Sequence, residues 1–455
     1  MSRLKFMAAG VAGVLGSAML AAVGSSPAMA SQHITLVFGG WGTPQQIQAY
    51  QSEAAAFEKL HPNVTIQGEY LPWNGYETKL TAQLAAHQLP DVMVTSTAWF
   101  SEFASKGAYL NMTPYFKQSH LSANDFVPGG IAGNSIHGHL YMLPNGGAYT
   151  IGDVVVLYNK TMFKKAHLSA PPRNWTLSDF VHDAQKLTLD ANGKNALEKG
   201  FNPNNTVQWG TDIGDSSNDA VWDELLPAFG GWYYNTQETH ATINTPAFAD
   251  AASWLKDLVT KWHASMPPAA QTGIADPFAA GKVAMIYAWD NQAQTETGLV
   301  NFPVGVAPLP VGPHGRGFFK VPNGAAAPAN GWTIAANTKY PKIAWEFVKF
   351  LATSPIALKA RGINGVEGLA YAPLTSTWLK MLPPKARQIE LIDHWQYQTA
   401  PTKLMVPPGG NMYTEFWNDM TAQLSLYDLG KISLHQTLTT LQKDTQTLLQ
   451  QQNNS

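Results

Sequence analysis

The chain contains no cysteine. This absence excludes a disulfide framework, a thiolate metal site and a lipid anchor attached through cysteine. Charge is also scarce, because only 13% of the residues are Asp, Glu, Lys or Arg and the formal net charge is −2. So small a charge argues against nucleic acid or another polyanion as a partner. Aromatic residues reach 11%, with 15 tryptophans, and this favours a neutral ligand.

Motifs that mark catalytic sites are scarce as well. The sequence has neither H-E-x-x-H nor G-x-S-x-G, and Gly281-Lys282 is followed by Val283 instead of the Ser or Thr of a phosphate-binding loop. We therefore expect no nucleotide site, no cofactor and no enzyme. Adjacent carboxylates such as Asp223 and Glu224 keep a secreted carbohydrate-active hydrolase open as an alternative, since a sequence cannot place two carboxylates across a bond.

A possible metal site is the segment His137-Gly138-His139. In an extended strand its two imidazoles would point to the same side and could ligate a metal. Because no third ligand is obvious nearby, the favoured interpretation is a surface or hinge-strand pair without metal.

The amino terminus has the pattern of a secretion signal. Arg3 and Lys5 precede an apolar run over residues 6–23, and Ala28-Met29-Ala30 supplies the small residues of a cleavage site. We expect cleavage after Ala30 and a soluble, exported chain that begins at Ser31, in the periplasm or secreted. The alternative is an uncleaved membrane anchor.

The roughly 425 residues after the signal are too many for one hydrophobic core and are compatible with two domains. Residues 33–95 alternate strands with amphipathic helices, which predicts a mainly parallel α/β sheet. The predicted strands are 33–38, 64–70 and 91–95, and the predicted helices begin at Pro44 and at Tyr76. Ligands of such sheets sit beyond the carboxyl ends of the strands, here at the loops 39–42 and 96–99.

The segment 30–110 resembles the opening of the extracellular solute-binding proteins of family 1, which feed ABC sugar importers. It contains the first strand, GGWG, the helix from Thr43, WNGYETKL and PDVMV. Later segments resemble the same family in order and spacing: YNKTMF, FAAGKVAMIYAWD, FPVGVAPLP and GWTIAANTKYPKIAWEFVKFLAT. The resemblance covers nearly the whole mature chain and is weakest over residues 189–225.

This resemblance implies two discontinuous α/β lobes of the type II periplasmic binding protein fold, joined by hinge strands around a ligand cleft. We expect residues 31–142 with 303–345 in the first lobe, and residues 143–302 with 346–455 in the second. The chain would cross between the lobes about three times, first near residues 138–144.

The resemblance also implies a function. The protein would bind a neutral mono- or oligosaccharide by hinge closure, deliver it to a membrane-embedded ABC permease, and act as a monomer. Glycerol-phosphate-binding members resemble the WNGYE segment too, but they supply a late arginine to the phosphate. The corresponding stretch, TKLMVPPGGNMYTEF, has no arginine, so a neutral sugar is favoured over glycerol phosphate or another polar solute.

A neutral sugar needs flat aromatic surfaces and a few directional hydrogen-bonding groups. Tryptophans at strand ends or in adjoining turns are the first candidates: Trp41, Trp99, Trp289 and Trp332, the last beside Gly331. The resemblance adds Tyr76 and, more weakly, Asn145, Trp232 and Tyr371. Asp290 could accept two sugar hydroxyls or cap a helix.

The remaining tryptophans need a separate interpretation. Trp73, beside Pro72, is undecided between ligand contact and packing. Five others occur within helical patterns and are expected to pack in the core: Trp175, Trp254, Trp345, Trp395 and Trp417.

Overall fold

A computed structural model describes residues 33–148, 154–214, 219–317, 329–362, 369–400 and 412–454. The predicted signal segment and Ser31 lie outside these residues. The strands are β1 (Ile34–Trp41), β2 (Val64–Leu71), β3 (Val92–Thr95), β4 (Ser135–Ile136), β5 (His139–Leu140), β6 (Met142–Ala148), β7 (Val154–Asn159), β8 (Leu189–Asp190), β9 (Thr206–Thr211), β10 (Val283–Trp289), β11 (Val304–Ala307) and β12 (Ala329–Ile334).

The α-helices begin with α1 (Pro44–Leu60), α2 (Trp73–Ala85), α3 (Thr97–Ser105), α4 (Thr113–Gln118), α5 (Gly130–Gly133), α6 (Lys160–Lys165), α7 (Leu177–Leu187), α8 (Asp219–Ala228) and α9 (Pro246–Thr260). They continue with α10 (Pro268–Gln271), α11 (Asp290–Leu299), α12 (Pro341–Thr353), α13 (Pro355–Arg361), α14 (Thr375–Met381), α15 (Pro384–Thr399), α16 (Tyr413–Asp428) and α17 (Leu434–Asn454). None of these helices combines the length and the apolar character that crossing a bilayer requires.

The first lobe is built on a five-stranded sheet with the order β2-β1-β3-β12-β6. Strand β1 pairs in parallel with β2 and β3, whereas β12 runs antiparallel to β3 and β6. All four residues of β3 are buried, as expected for a central strand that is covered on both faces. Side chains from α1, α3 and α12 complete its core.

Local sequence fixes the turn that joins β1 to α1. The Thr43 hydroxyl accepts a hydrogen bond from the Gln46 backbone N–H, and the Gln46 side chain accepts one from the Thr43 N–H. Pro44 follows at the first helical position, where a missing N–H costs nothing. The predicted helix start is therefore confirmed, and Trp41 is held at the strand end just before it.

The second lobe is built on another five-stranded sheet, with the order β11-β7-β10-β9-β8. Strand β7 runs antiparallel to β10 and β11, and β10 is parallel to β9. One face of this sheet is covered by α7, α8, α9, α16 and α17, and the other by α11 and α15. The fold expectation of two α/β lobes is confirmed.

The lobe boundaries differ from the sequence expectation at three places. Strand β6 belongs wholly to the first sheet, so the first boundary falls after residue 148 and not after 142. Strand β11, expected in the first lobe, pairs with β7 in the second. The expected boundary after residue 345 falls inside α12, and both the rest of α12 and the whole of α13, expected in the second lobe, pack on the first. The physical reason is that strand pairing and core contacts, which a chain pattern does not show, decide the lobe.

Candidate ligand-binding site

Five strands of the first sheet end or begin at one edge. The parallel strands β1, β2 and β3 end there, at Trp41, Leu71 and Thr95. Because β12 is antiparallel, it starts at this edge, with Gly331 opposite Thr95. Strand β6 returns to the same edge, where Ala148 pairs with Ala329. This is the edge at which ligands of parallel α/β sheets sit.

Four aromatic side chains meet at this edge and are called the aromatic cluster: Trp41, Trp73, Tyr76 and Trp99. The Trp41 ring lies 5.1 Å from that of Trp73, 5.6 Å from Tyr76 and 5.4 Å from Trp99, between ring centroids. Trp73 and Trp99 are 5.1 Å apart. Offset and edge-on contacts at such distances are the favourable arrangements of aromatic rings. The structure thus brings three of the predicted site residues together with Trp73.

Exposure separates the members of the aromatic cluster. Trp73 is 42% exposed, whereas Trp41 is 7%, Trp99 2% and Tyr76 1% exposed. The Tyr76 hydroxyl donates a hydrogen bond to the Val94 carbonyl at 3.1 Å, and burial raises its pKa well above the ordinary value. Tyr76 therefore supports the cluster from inside, and Trp73 offers its open aromatic surface.

The position of Trp73 in the sequence contains a signal for ligand contact that its neighbour Pro72 obscures. Trp73 begins α2 two residues after the end of β2, so the strand-end rule that selected Trp41 selects Trp73 equally. The helix was expected to begin only at Tyr76. Its earlier start turns Trp73 from a loop residue into the first helical residue beside Trp41 and Trp99.

The side chain of Trp99 has an unused hydrogen-bond donor. Its Nε1 is buried and has no partner among the described residues. Trp99 is held on α3, which starts at the Ser96 cap and whose Thr97 N–H donates to the Asn330 side chain at 3.0 Å. A buried donor without an acceptor costs about 1–3 kcal/mol, so a ligand oxygen that reached it would be favoured.

The aromatic cluster lies on the side of the first lobe that the second lobe approaches. Helix α16, whose Phe416 and Met420 belong to the core of the second lobe, runs close to α3. Because α3 carries Trp99, this contact places the cluster next to the boundary between the lobes.

Trp332 and Gly331 have different surroundings. Trp332 is 2% exposed, and the guanidinium carbon of Arg361 lies 5.3 Å from the centre of its ring. Among the described ring contacts it has none with the aromatic cluster. A Cβ on Gly331 would lie 2.3 Å from the Leu143 carbonyl oxygen, so the close approach of β12 to β6 requires glycine there. Sequence position alone had suggested that both residues face ligand, which stays a prediction.

In the second lobe, Trp289 ends β10 opposite Val154, the first residue of β7. It is half-buried and packs on the core of that lobe. Helix α11 begins at Asp290 itself, one residue earlier than a cap at Asp290 would require, and the structure describes the backbone of Asp290 and not its side chain, so both roles of Asp290 stay predictions. Trp289 therefore lies at a strand end of the second lobe, whereas the aromatic cluster belongs to the first lobe.

The weaker candidates are scattered. Asn145 is half-buried on β6, one residue after Pro144, which pairs with Gly331 at the site edge. Tyr371 packs on Phe126, with ring centroids 5.2 Å apart, away from the ring contacts of the aromatic cluster. Trp232 is 8% exposed and lines a separate pocket of the second lobe.

Two other sequence candidates are corrected or explained by the structure. His137 and Gly138 form the turn between β4 and β5, with φ of 50° and 77°, so His137 and His139 do not share a strand face. The part of the chain that the structure describes holds no group of three His, Asp or Glu placed for a metal ion. Asp223 is 6% exposed and accepts a hydrogen bond from the Tyr233 hydroxyl at 2.8 Å, which gives it a structural role.

Two α/β lobes, with an aromatic cluster of the first lobe next to the boundary between them, define a protein of the two-lobe α/β class. The model of the family described as bacterial extracellular solute-binding protein matches residues 41–357. The chain belongs to this family, and the resemblance seen in its sequence is confirmed.

Individual relatives are distant in sequence but similar in fold. The maltotriose-binding protein of Pyrococcus abyssi is 25% identical over 339 residues, which is 73% of this chain and 65% of that protein. The structure of an ABC substrate-binding protein from Listeria monocytogenes in complex with cycloalternan matches with a TM-score of 0.72 at 21% identity, covering 91% of this chain and 99% of that one. The GacH receptor of Streptomyces glaucescens, solved unliganded and with acarbose, gives 0.69 at 20% identity, covering 92% and 98%.

Proposed function

We propose that this protein is the extracytoplasmic substrate-binding component of an ABC importer and that it binds a neutral mono- or oligosaccharide between its lobes. The observation that carries this proposal is the aromatic cluster at the carboxyl edge of the first sheet, with Trp73 exposed. A sugar ring has an apolar C–H face that fits such a surface. The maltotriose-binding relative and the structures with cycloalternan and acarbose favour an oligosaccharide.

The proposed mechanism is hinge closure. Trp73 would contact the sugar from the first lobe and Trp289 from the second. A ligand that contacts both lobes stabilises the closed form relative to the open one, because only the closed form makes both sets of contacts. The closed form would then be recognised by the membrane permease. No catalytic step is part of this proposal.

A neutral ligand is favoured over a phosphorylated one. A guanidinium that is free for a bidentate contact is a strong partner for a phosphate. In the second lobe, Arg316 donates its Nε–H to the Leu309 carbonyl at 2.7 Å and an Nη2–H to the Arg173 carbonyl. These two donors of Arg316 are therefore occupied by backbone carbonyls of its own lobe and are not free for a phosphate. Of the late stretch TKLMVPPGGNMYTEF, where phosphate-binding relatives supply an arginine, residues 402–411 lie outside the described residues.

A thermal-shift screen against a sugar library tests the proposal. A ligand at about 100 times its dissociation constant adds roughly 2.7 kcal/mol to the unfolding free energy. Calorimetry on the responding sugar is expected to give one high-affinity site per chain near −8 kcal/mol, which is about micromolar affinity. A response only to sugar phosphates, with affinity that falls steeply with salt, would replace the neutral sugar by an anionic solute.

Two further measurements separate the rival interpretations. A chromogenic glycoside assay at stoichiometric protein is expected to show no turnover, and measurable turnover would favour the hydrolase. Mass spectrometry of the exported protein is expected to find Ser31 at the amino terminus, as export with removal of the signal segment requires. A terminus that still contains Phe6 would contradict both the cleavage and a location in the periplasm.

A further inference from the structure

A pocket of about 570 Å³ opens in the second lobe beside Trp232. It lies between the end of α8, the hairpin of residues 232–242 and the beginning of α9. Its aromatic wall is formed by Phe229, Trp232 and Tyr234, and its polar side chains include Thr236, Asp250 and His314. All of its lining residues belong to the second lobe, so it is separate from the aromatic cluster. Its volume falls within the range of about 300–1,000 Å³ that is typical of small-molecule sites.

The hairpin that forms part of the pocket wall is hydrogen-bonded to side chains of α17, a helix that is distant in the sequence. On α17, Gln446 accepts a hydrogen bond from the Ala241 N–H at 3.0 Å and donates one to the Thr239 carbonyl at 2.9 Å. Gln442 accepts from the Ile243 N–H at 2.8 Å and donates to the Ala241 carbonyl at 2.7 Å. The hairpin is thus fixed before any ligand arrives, which reduces the entropy cost of binding.

The Asp250 carboxylate and the His314 ring, at the mouth of the pocket, are available for hydrogen bonds to a ligand. Asp250 is exposed on α9, and the described residues give its carboxylate no hydrogen-bond or ion-pair partner. The His314 ring stands over Gly230, where a Cβ would lie 2.9 Å from its Cγ, while its backbone N–H donates to the Ala228 carbonyl. A free carboxylate disfavours an anionic ligand, whereas hydroxyl groups can donate to it.

We propose that this pocket is a second binding site, for one neutral pyranose ring, distinct from the site between the lobes. The ring places its apolar face on the partly exposed Phe229, next to the edge of Trp232 that lines the pocket. Its hydroxyls donate to Asp250 and bond to His314 at the mouth. The proposal does not depend on what the site between the lobes binds.

Fluorine NMR of the full chain labelled with 5-fluorotryptophan tests this proposal, with D-glucose and D-mannose as probes. Trp232→Phe and Trp73→Phe variants assign the two reporter signals. The Trp232 signal is expected to shift saturably at about millimolar sugar, the affinity expected of a small, open site. Asp250→Ala should weaken this response about tenfold, the size of a hydrogen bond to a charged group. Thr236→Trp, which fills the mouth from an exposed position, should abolish it.

Asp257→Ala is the matched control, because Asp257 lies on the same helix but pairs with Lys261 at 3.3 Å. It should leave the response unchanged, and circular dichroism melts confirm that each variant is folded. The proposal is overturned if the Trp232 signal does not move, or if it responds equally in Asp250→Ala and Asp257→Ala. The proposal is also overturned if the Trp232 and Trp73 signals shift with the same sugar dependence, because both would then report one binding event. The Trp73 signal reports binding at the site between the lobes, so a failure of the proposed function would appear in that signal and not in the Trp232 signal.

Discussion

The indole rings of Trp73 and Trp99 lie 5.1 Å apart, yet Trp73 is 42% exposed and Trp99 only 2%. These two tryptophans follow β2 and β3, the strands on either side of β1, and they have different roles in one aromatic surface. Trp99 fills the base of the aromatic cluster, and Trp73 lies over it as the face that a ligand can reach. This division decides which substitutions should affect binding and which should affect folding.

Trp73→Ala is expected to lower sugar affinity by about 1–3 kcal/mol, the scale of losing an aromatic contact at a binding site. Because the side chain is partly exposed, the unfolding free energy should change little. Calorimetry and urea melts measure the two effects. Trp209, half-buried on β9 near the start of β10, is the control, and an equal loss of affinity in Trp209→Ala would contradict a specific role for Trp73.

Trp289→Ala should also lower affinity by about 1–3 kcal/mol, since Trp289 is the proposed contact from the second lobe. Trp345→Ala should instead reduce the unfolding free energy by about 3–5 kcal/mol through a core cavity. Trp345 is 4% exposed and donates a hydrogen bond to the Ser119 hydroxyl at 2.9 Å. Unchanged affinity in Trp289→Ala, with a stability loss like that of Trp345→Ala, would show that Trp289 is a core residue and not a ligand contact.

The cognate sugar is expected to compact the protein, because its contacts on both lobes stabilise the closed form. Small-angle X-ray scattering with and without sugar measures the radius of gyration. Trp289→Ala should compact less at the same fractional saturation, since the second lobe loses its contact. Tight binding without any change in radius would favour a rigid, lectin-like site on one lobe.

The buried pair Glu53–Arg361 predicts a pH dependence of stability. Arg361 Nε donates to Glu53 Oε1 at 2.6 Å, but burial outweighs this attraction and raises the Glu53 pKa from 4.5 to about 7. The folded state therefore keeps a proton that the unfolded state loses above its ordinary pKa. Unfolding releases this proton between about pH 4.5 and 7, so the contribution of Glu53 to stability falls as pH rises through that window.

Glu53→Gln isolates this effect, because glutamine does not ionise. The stability of Glu53→Gln relative to the natural chain should rise from about pH 4.5 to about pH 7 and then level off. Urea melts across this range measure the difference. A difference that is constant with pH would show that Glu53 is ionised in the folded protein throughout.

Gly331→Ala should destabilise the first lobe by about 1–3 kcal/mol or more, because the new methyl group would overlap the Leu143 carbonyl oxygen. Gly298 on α11 is the matched control, since a Cβ there meets no atom within 4 Å. Gly298→Ala should stabilise by about 0.4–1 kcal/mol through helix propensity and a less flexible unfolded chain. Equal effects at the two glycines in urea melts would contradict the close approach of β12 to β6.

The amino-acid sequence by itself determined the local elements and the family. Thr43, Pro44 and Gln46 specify the start of α1 through hydrogen bonds within four residues, which a sequence pattern can show. The alternation of strands and helices predicted the carboxyl-edge site, and Trp41 and Trp99 were selected by their strand-end positions. These features depend on neighbours in the chain, so local rules suffice.

Only the tertiary structure decided which partners these elements meet. Strand β11 could pair with either sheet, and contact with β7 placed it in the second lobe. Trp332 ends up under Arg361 and away from the aromatic cluster, because Arg361 comes from a helix that packs there. Trp73 joins the cluster, and Trp232 lines a pocket of its own. Such contacts join residues far apart in the chain, and their energies depend on packing that no local pattern contains.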